Sequence, residues 1–188
     1  MTESNKDTIV VIGKLVLVSM FAALLLGLTF IPTSEQLEQN MIAAQKEILS
    51  ELVPEAQNFE PVEEAEDAEG QSNILYYRAV DGSGNIIAYA FFKEQSGSQG
   101  PIVVAGAVDS SFSNVLGMDV LSHEETPGLG SKITSTDFRS QFEDVPVSQL
   151  ELSSSGGSID AITGASISSK AVVDAMDSKI EEIEDAEA

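Results

Sequence analysis

Seven residues near the end of the chain, Asp160-Ala161-Ile162-Thr163-Gly164-Ala165-Ser166, combine small side chains, a carboxylate and two hydroxyls just ahead of a helical pattern. A small-residue loop that opens a helix brings backbone N–H groups together, and such a place can hold an anionic group. Ser166 puts a hydroxyl at that junction. On residue type alone, Ser166 is either a helix N-cap or a point where an anionic group is held. A second chemistry-bearing loop runs Ser122-His123-Glu124-Glu125-Thr126-Pro127-Gly128-Leu129-Gly130. Pro127 and Gly128 suit the two central positions of a type II turn, and glycine there permits a close approach of backbone to a ligand.

Several chemistries are excluded by what is missing. The chain has no cysteine and one histidine, which removes disulfides, thiolate metal sites, iron–sulfur clusters and multi-histidine metal sites. No Gly-x-x-x-x-Gly-Lys-Ser/Thr loop is present, and the Gly128/Gly130 pair lacks the third glycine of a dinucleotide-binding turn. A serine hydrolase would have to use His123, yet there is no Gly-x-Ser-x-Gly elbow. The net charge of −22, from 31 acidic and 9 basic residues, repels nucleic acid and anionic lipid.

The elements that position the two loops follow from periodicity. From Leu15 to Ile31 no residue is charged, and Lys14 can snorkel at the edge of a longer segment from Thr8. A bilayer core of ~30 Å takes about 20 helical residues, so this stretch is predicted to be a single transmembrane helix. Lys6 and Lys14 precede it and the next basic residue is Lys46, which places the N-terminus in the cytoplasm and the rest outside the cell membrane. It reads as a retained anchor rather than a cleaved signal peptide. The apolar core is long and Thr29-Phe30-Ile31-Pro32 offers no small-x-small cleavage site.

Pro32 is expected to end the anchor, and Thr33 and Gln36 stand at capping-box spacing for a new helix carrying Leu37, Met41, Ala44, Ile48 and Leu52 on one face. Residues 55–70 are largely acidic and read as a solvated loop. Strands are expected at Ile74–Val80, Ile86–Phe92, Ile102–Val108 and Val115–Leu121, the first two joined by the turn Asp81-Gly82-Ser83-Gly84-Asn85. A short helix over Asp137–Asp144 and a final helix over Ile167–Ile183 follow, with a frayed acidic tail from Glu181. Short strands joined by turns and then helices make an antiparallel sheet in an α+β domain. Three regions result: 1–32, the cytoplasmic N-terminus and anchor; 33–70, an amphipathic helix and acidic linker; and 71–188, the domain that carries both loops.

Taken together, the two loops resemble a known family. Glu125-Thr126-Pro127-Gly128-Leu129-Gly130, with His123 shortly before it, looks like a signature of the G subunit of Rnf electron-transport complexes, shared by the C subunit of the sodium-pumping NADH:quinone oxidoreductases. Asp160–Ser166 is similar to the flavinylation motif of the same proteins, Asp-x-x-Ser/Thr-Gly-Ala-Thr/Ser. The anchor, the order of the loops and the chain length agree, so the resemblance covers most of the chain.

The resemblance implies an FMN joined through its phosphate to the hydroxyl of Ser166, where the family's usual acceptor is threonine, with Thr163 as second choice. It implies a flavin transferase that works from FAD and a divalent metal, with Asp160 positioning the loop or holding that metal, and Gly164 and Ala165 leaving room for the transferase. Thr126, Gly128 and Leu129 would pack beside the isoalloxazine, and Lys132 would lie near its N1/O2 side. No resident metal and no catalytic side chain are expected. The protein is expected to be an FMN-binding electron carrier of a ferredoxin-linked, ion-translocating Rnf complex, beside other membrane, flavin and iron–sulfur subunits. The rivals are the quinone-reductase C subunit and a flavin-free sensor or binding module on a membrane stalk.

Overall fold

A computed structural model describes residues 3–64 and 73–188, with the side chains of the first helix described for 10–24 and from 40 onward. Two compact units are present, Met1–Ala44 and Gln45–Ala188. Helix α1, Glu3–Leu52, begins in the first unit and ends in the second. The break expected at Pro32 does not occur, because α1 runs on through that position. One proline removes one backbone donor and costs about 3 kcal/mol, a local penalty that good helix formers such as Ala22–Leu26 and Glu35–Gln39 on either side can offset. The expected cap at Thr33 and Gln36, and residues 25–31 of the expected anchor, lie outside the described side chains. Among the described residues no helix is long and apolar enough to cross a membrane.

The second unit is built on a six-stranded antiparallel meander in the order β1 to β6: Asn58–Glu63, Ile74–Val80, Ile86–Ser96, Pro101–Asp109, Asn114–His123 and Val145–Pro146. The expected α+β class with an antiparallel sheet holds. Strands β2 to β5 stand where alternation placed them, and the β2–β3 turn uses the five residues expected. There Asp81 Oδ1 accepts N–H bonds from Ser83 at 2.7 Å and Asn85 at 2.9 Å, while Gly84 takes φ +81°. Strand β1 corrects the reading of residues 55–70 as loop. Its half-buried Phe59 and Val62 are separated by exposed Glu60 and Pro61, and it pairs with β2 as an edge strand. An edge tolerates both the proline and the charges.

The sheet has two covered faces. On one lies helix α3, Ser166–Glu187, whose Val172, Val173, Met176, Ile180 and Ile183 pack with Tyr76, Tyr89, Phe91, Val104, Val108 and Met118. Gly106 makes this approach possible, because a Cβ there would overlap the Met176 Sδ and the Phe91 ring. On the other face the last turns of α1 bring Leu49, Leu52 and Val53 onto Ala79, Ala88, Ala90 and Ala107, with Tyr77 and Phe92 beside them. Strand β3 shows the period of two plainly, since Tyr89 and Phe91 serve the α3 face while Ala88, Ala90 and Phe92 serve the other. The strand aromatics are therefore packing residues.

Between β5 and α3 the chain makes a 3-10 turn at Gly130–Thr134, helix α2 at Thr136–Arg139 and a further 3-10 turn at Ser140–Phe142. Phe138 and Phe142 meet edge to face at 5.4 Å in the core, but the helix expected over Asp137–Asp144 is shorter: α2 stops at Arg139, the 3-10 turn at Phe142, and Asp144 is left-handed at φ +57°. The acidic tail does not fray where expected: α3 continues to Glu187, whose carboxylate is bonded to Tyr76 and Arg78.

Candidate functional site

The site is assembled where three loops converge on the start of α3. The first is the turn between β3 and β4, closed by the Gly97 N–H donating to the Gly100 carbonyl at 2.8 Å. The second follows β5. Its Leu129 N–H donates to the Thr126 carbonyl at 3.2 Å, with Gly128 at φ +75°, the positive value a type II turn needs at its third residue. The Gly128 N–H then donates to Ser131 Oγ at 2.8 Å. The third is the loop into α3, where Gly164 takes φ +83° and a Cβ added to it would stand 3.0 Å from Leu129 Cδ1. Positive φ and close approach together make glycine the fitting residue at 164.

Helix α3 starts in an unusual way. The residue before it, Ala165, caps nothing with its side chain, and Ser166 is already helical. The N-cap alternative for Ser166 is thereby removed. Three serines lie in the first turn. Ser168 and Ser169 are buried; Ser168 Oγ donates to Glu125 Oε2 at 2.7 Å, while Ser169 Oγ donates to the Ala165 carbonyl and accepts from the Ile162 N–H. Ser166 is exposed, and among the described residues its hydroxyl has no hydrogen-bond partner. The backbone N–H groups of Ser166, Ile167 and Ser168 likewise find no acceptor among the described residues, and the first turn holds no acidic residue. Free donors at the positive end of a 22-residue helix form a donor-lined mouth.

That mouth opens into a cleft of about 330 Å³ lined by the turn residues Ser98 and Gln99, the loop residues Glu125, Thr126, Leu129 and Gly130, and residues 164–168. Leu129 and Ile167 present exposed apolar surface beside it, 41% and 63% accessible. Five of the residues singled out from sequence line the cleft together: Thr126, Leu129, Gly164, Ala165 and Ser166. Gly128, Thr163, Asp160 and Lys132 do not. Gly128 shapes the turn behind Leu129, and Thr163 is exposed ahead of the helix. Asp160 is exposed and held by Gln141, whose Oε1 accepts its N–H at 2.7 Å. Sequence reasoning missed Glu125 as an individual residue, the Ser98–Gln99 turn and Ile167. A carboxylate beside two glycines in the second loop was the available signal for the first. The glycines and proline of Ser96-Gly97-Ser98-Gln99-Gly100-Pro101 mark a loop, but nothing in residue type ties it to this site.

Glu125 is the one buried carboxylate of the cleft. Burial raises the pKa of its carboxyl, but hydrogen bonds from the Ser168 hydroxyl and the Gln99 and Ser98 N–H groups outweigh that and hold it below the ordinary glutamate value. A larger cleft of about 380 Å³ lies between the end of α1 and α2, lined by Glu51, Asp119, Glu143, Asp144 and Arg139 among others. Arg139 is paired with Asp119 there, so the remaining carboxylates make that cleft unsuited to an anion. Among the described residues no group of three His, Asp or Glu side chains is placed to hold a metal ion.

Comparison with known proteins bears on the same region. A family model described as an FMN-binding domain matches residues 97–181, a span that contains all three loops. The chain is 44% identical over 178 residues to the G subunit of the ion-translocating oxidoreductase complex of Methanosarcina acetivorans, covering 94% of this chain and 95% of that one. It is 29% identical over 185 residues to the G subunit of the proton-translocating ferredoxin:NAD(+) oxidoreductase complex of Clostridium ljungdahlii, covering 96% and 95%. Among solved structures, the C subunit of the Na(+)-translocating NADH-quinone reductase of Parabacteroides distasonis overlaps 56% of this chain and 58% of its own at 24% identity, with a TM-score of 0.45. That overlap carries no weight for function.

Proposed function

Because the chain belongs to the family of G subunits of ion-translocating (Rnf) oxidoreductase complexes, we propose that it is an electron-transfer protein with FMN bound covalently at Ser166. The observation that carries this reading is the unpartnered Ser166 hydroxyl, exposed at the start of α3 beside three free backbone N–H groups. The cleft fits such a group. Its helix start favours a phosphodiester charge, Gly164 leaves room for Leu129, and Leu129 and Ile167 offer apolar surface to a flat ring. When bound, FMN supplies the capacity to take up and release electrons.

The residues divide the work. Gly164, Ala165 and the N–H groups of the first turn surround the attachment point. Thr126 and Leu129 form the facing wall, and Gly128 sets the turn that projects Leu129. For attachment, the Ser166 oxygen forms a bond to the FMN-side phosphorus of FAD while the pyrophosphate P–O bond breaks. AMP leaves and the hydroxyl proton passes to solvent or to a base of the transferase. Turnover afterwards requires no nucleophile or general base from this chain.

The proposed setting is the cell membrane, within a multi-subunit complex that includes membrane, flavin and iron–sulfur subunits and links ferredoxin oxidation to ion translocation. Residues 1–32 would form the cytoplasmic N-terminus and anchor, and the extracytoplasmic FMN-binding domain would take in the end of α1 and strand β1 along with 71–188, since both belong to the same compact unit Gln45–Ala188. The uncharged stretch Leu15–Ile31 supports the anchor, as do the exposed apolar side chains of α1 from Val10 to Leu24. Covalent linkage suits an extracytoplasmic domain, where a dissociated FMN would be lost.

In-gel fluorescence after denaturation tests the central claim. The wild-type chain co-expressed with its flavin transferase should fluoresce, Ser166→Ala should not, and Thr163→Ala should remain labelled. An unlabelled wild type would favour the flavin-free binding module instead.

A further inference from the structure

We propose that Glu125 is the positioning residue of this site: its buried carboxylate fastens the Ser98–Gln99 turn and the first turn of α3 to the loop after β5, and so fixes where Ser166 presents its hydroxyl. The inference rests on the reading of Ser166 as the flavin attachment point.

Three elements far apart in sequence meet on this one side chain, which is 5% accessible. Its Oε1 accepts the Ser98 N–H at 2.6 Å and the Gln99 N–H at 3.1 Å, and its Oε2 accepts the Ser168 hydroxyl at 2.7 Å. Its own N–H donates to His123 Nδ1 at 3.2 Å, which ties it back to the end of β5. The surroundings are cut to its shape. A Cβ at Gly97 would overlap Oε1, and one at Gly130 would overlap Oε2. The two backbone N–H groups can only donate, and the Ser168 hydroxyl donates as well, an arrangement that suits an ionised carboxylate accepting on both oxygens. A buried charge is tolerated when its lone pairs are filled in this way.

The link to Ser166 is short. Ser168 is two residues along the same helical turn, and on its other side Ser169 is bonded to Ala165 and Ile162. Ser166 is thus the free hydroxyl of a turn held from both sides. Without Glu125, the Glu125-side tether of α3 and the anchor of the 97–100 turn are lost together. The β3 and β4 ladder that carries the turn does not depend on it.

The test uses the full chain with its flavin transferase, FAD and divalent metal. Labelling is followed as a rate at varied protein concentration, well below the melting temperature of each variant. Glu125→Ala should lower the kcat of labelling by about tenfold or more with little change in KM, as misplacing a reacting group does. Glu125→Gln, which keeps both N–H bonds to Oε1, should recover most of that rate. Amide hydrogen exchange on the same chains should show Ser98, Gln99, Ile162 and Ser169, whose N–H groups are hydrogen-bonded, losing protection in Glu125→Ala, with β3 and β4 unchanged. Should Glu125→Ala not fold, Ser168→Ala removes the Oε2 arm alone. It should speed exchange at Ile162 and Ser169 but not at Ser98 and Gln99, and slow labelling to a smaller degree. A folded Glu125→Ala labelled at the wild-type rate would overturn the proposal. So would unchanged exchange at these amides, or a folded Ser168→Ala with neither change. If the wild type takes no flavin, the attachment reading falls while exchange still decides whether Glu125 braces the loops.

Discussion

The two ends of α3 handle polar groups in opposite ways. At its C-terminal end Glu187 is saturated: it accepts from the Tyr76 hydroxyl and from Arg78 Nε at 2.9 Å and Nη2 at 2.7 Å, with Tyr89 at 3.4 Å. At its N-terminal end Ser166 and three backbone N–H groups are left open to the cleft. The closed end joins the helix to β2 and β3, and the open end carries the unfilled bonding capacity. A polar group left unsatisfied beside a cleft is the one available to a ligand, whereas a satisfied one reports on stability. The two ends should therefore respond to mutation in separable ways, labelling at one and stability at the other.

The largest effect should come from Ser166→Ala. It should abolish covalent flavin in the denaturing gel while changing the unfolding midpoint by no more than a typical surface substitution, about 0.5 kcal/mol or less. A loss of labelling accompanied by a large fall in stability would mean that the two ends are not separable. Gly164→Ala comes next. A left-handed backbone costs a non-glycine residue about 1–2 kcal/mol, and the new Cβ would press on Leu129 at 3.0 Å. Chemical denaturation should show that loss, with labelling reduced but not abolished.

How far the molecule was legible before its structure follows the same division. The β2–β5 hairpins, the core face of α3 and the two glycine turns could be read because alternation, helical spacing and turn chemistry act locally. Strand β1 could not, since only Phe59 and Val62 mark its buried side among Glu60, Pro61 and Glu63, and its identity comes from pairing with β2. The end of α3 reads as a frayed acidic tail because nothing near Glu187 in sequence hints at Tyr76 and Arg78, more than a hundred residues away. The cleft follows the same rule. Residues of the two motif loops could be singled out, but the Ser98–Gln99 wall and the role of Glu125 exist only through contacts across distant segments.

At the closed end, Glu187→Ala should destabilise the domain by about 1–3 kcal/mol. It strips partners from Tyr76, which is buried, and from the guanidinium of Arg78. Labelling of Ser166 should stay at the wild-type rate below the melting transition. The same group gives the smallest and most specific effect, one read through pH. Burial raises the pKa of the Glu187 carboxyl, but the bonds from Tyr76 and Arg78 and the Arg78 charge outweigh it, leaving it below the ordinary 4.5. Tyr76 in turn is pushed up to about 12 by burial and by the same carboxylate. A carboxylate depressed in the folded state contributes stability that is complete above its unfolded value and is lost as pH falls through its folded value. Unfolding free energy should therefore decline as pH drops below about 4.5, and Glu187→Gln should flatten part of that decline. Glu125 is depressed as well, so some slope should persist in the Glu187 variant and diminish further when Glu125→Gln is added. Equal slopes in all three proteins would show that neither end of α3 owes its stability to an ionised carboxylate.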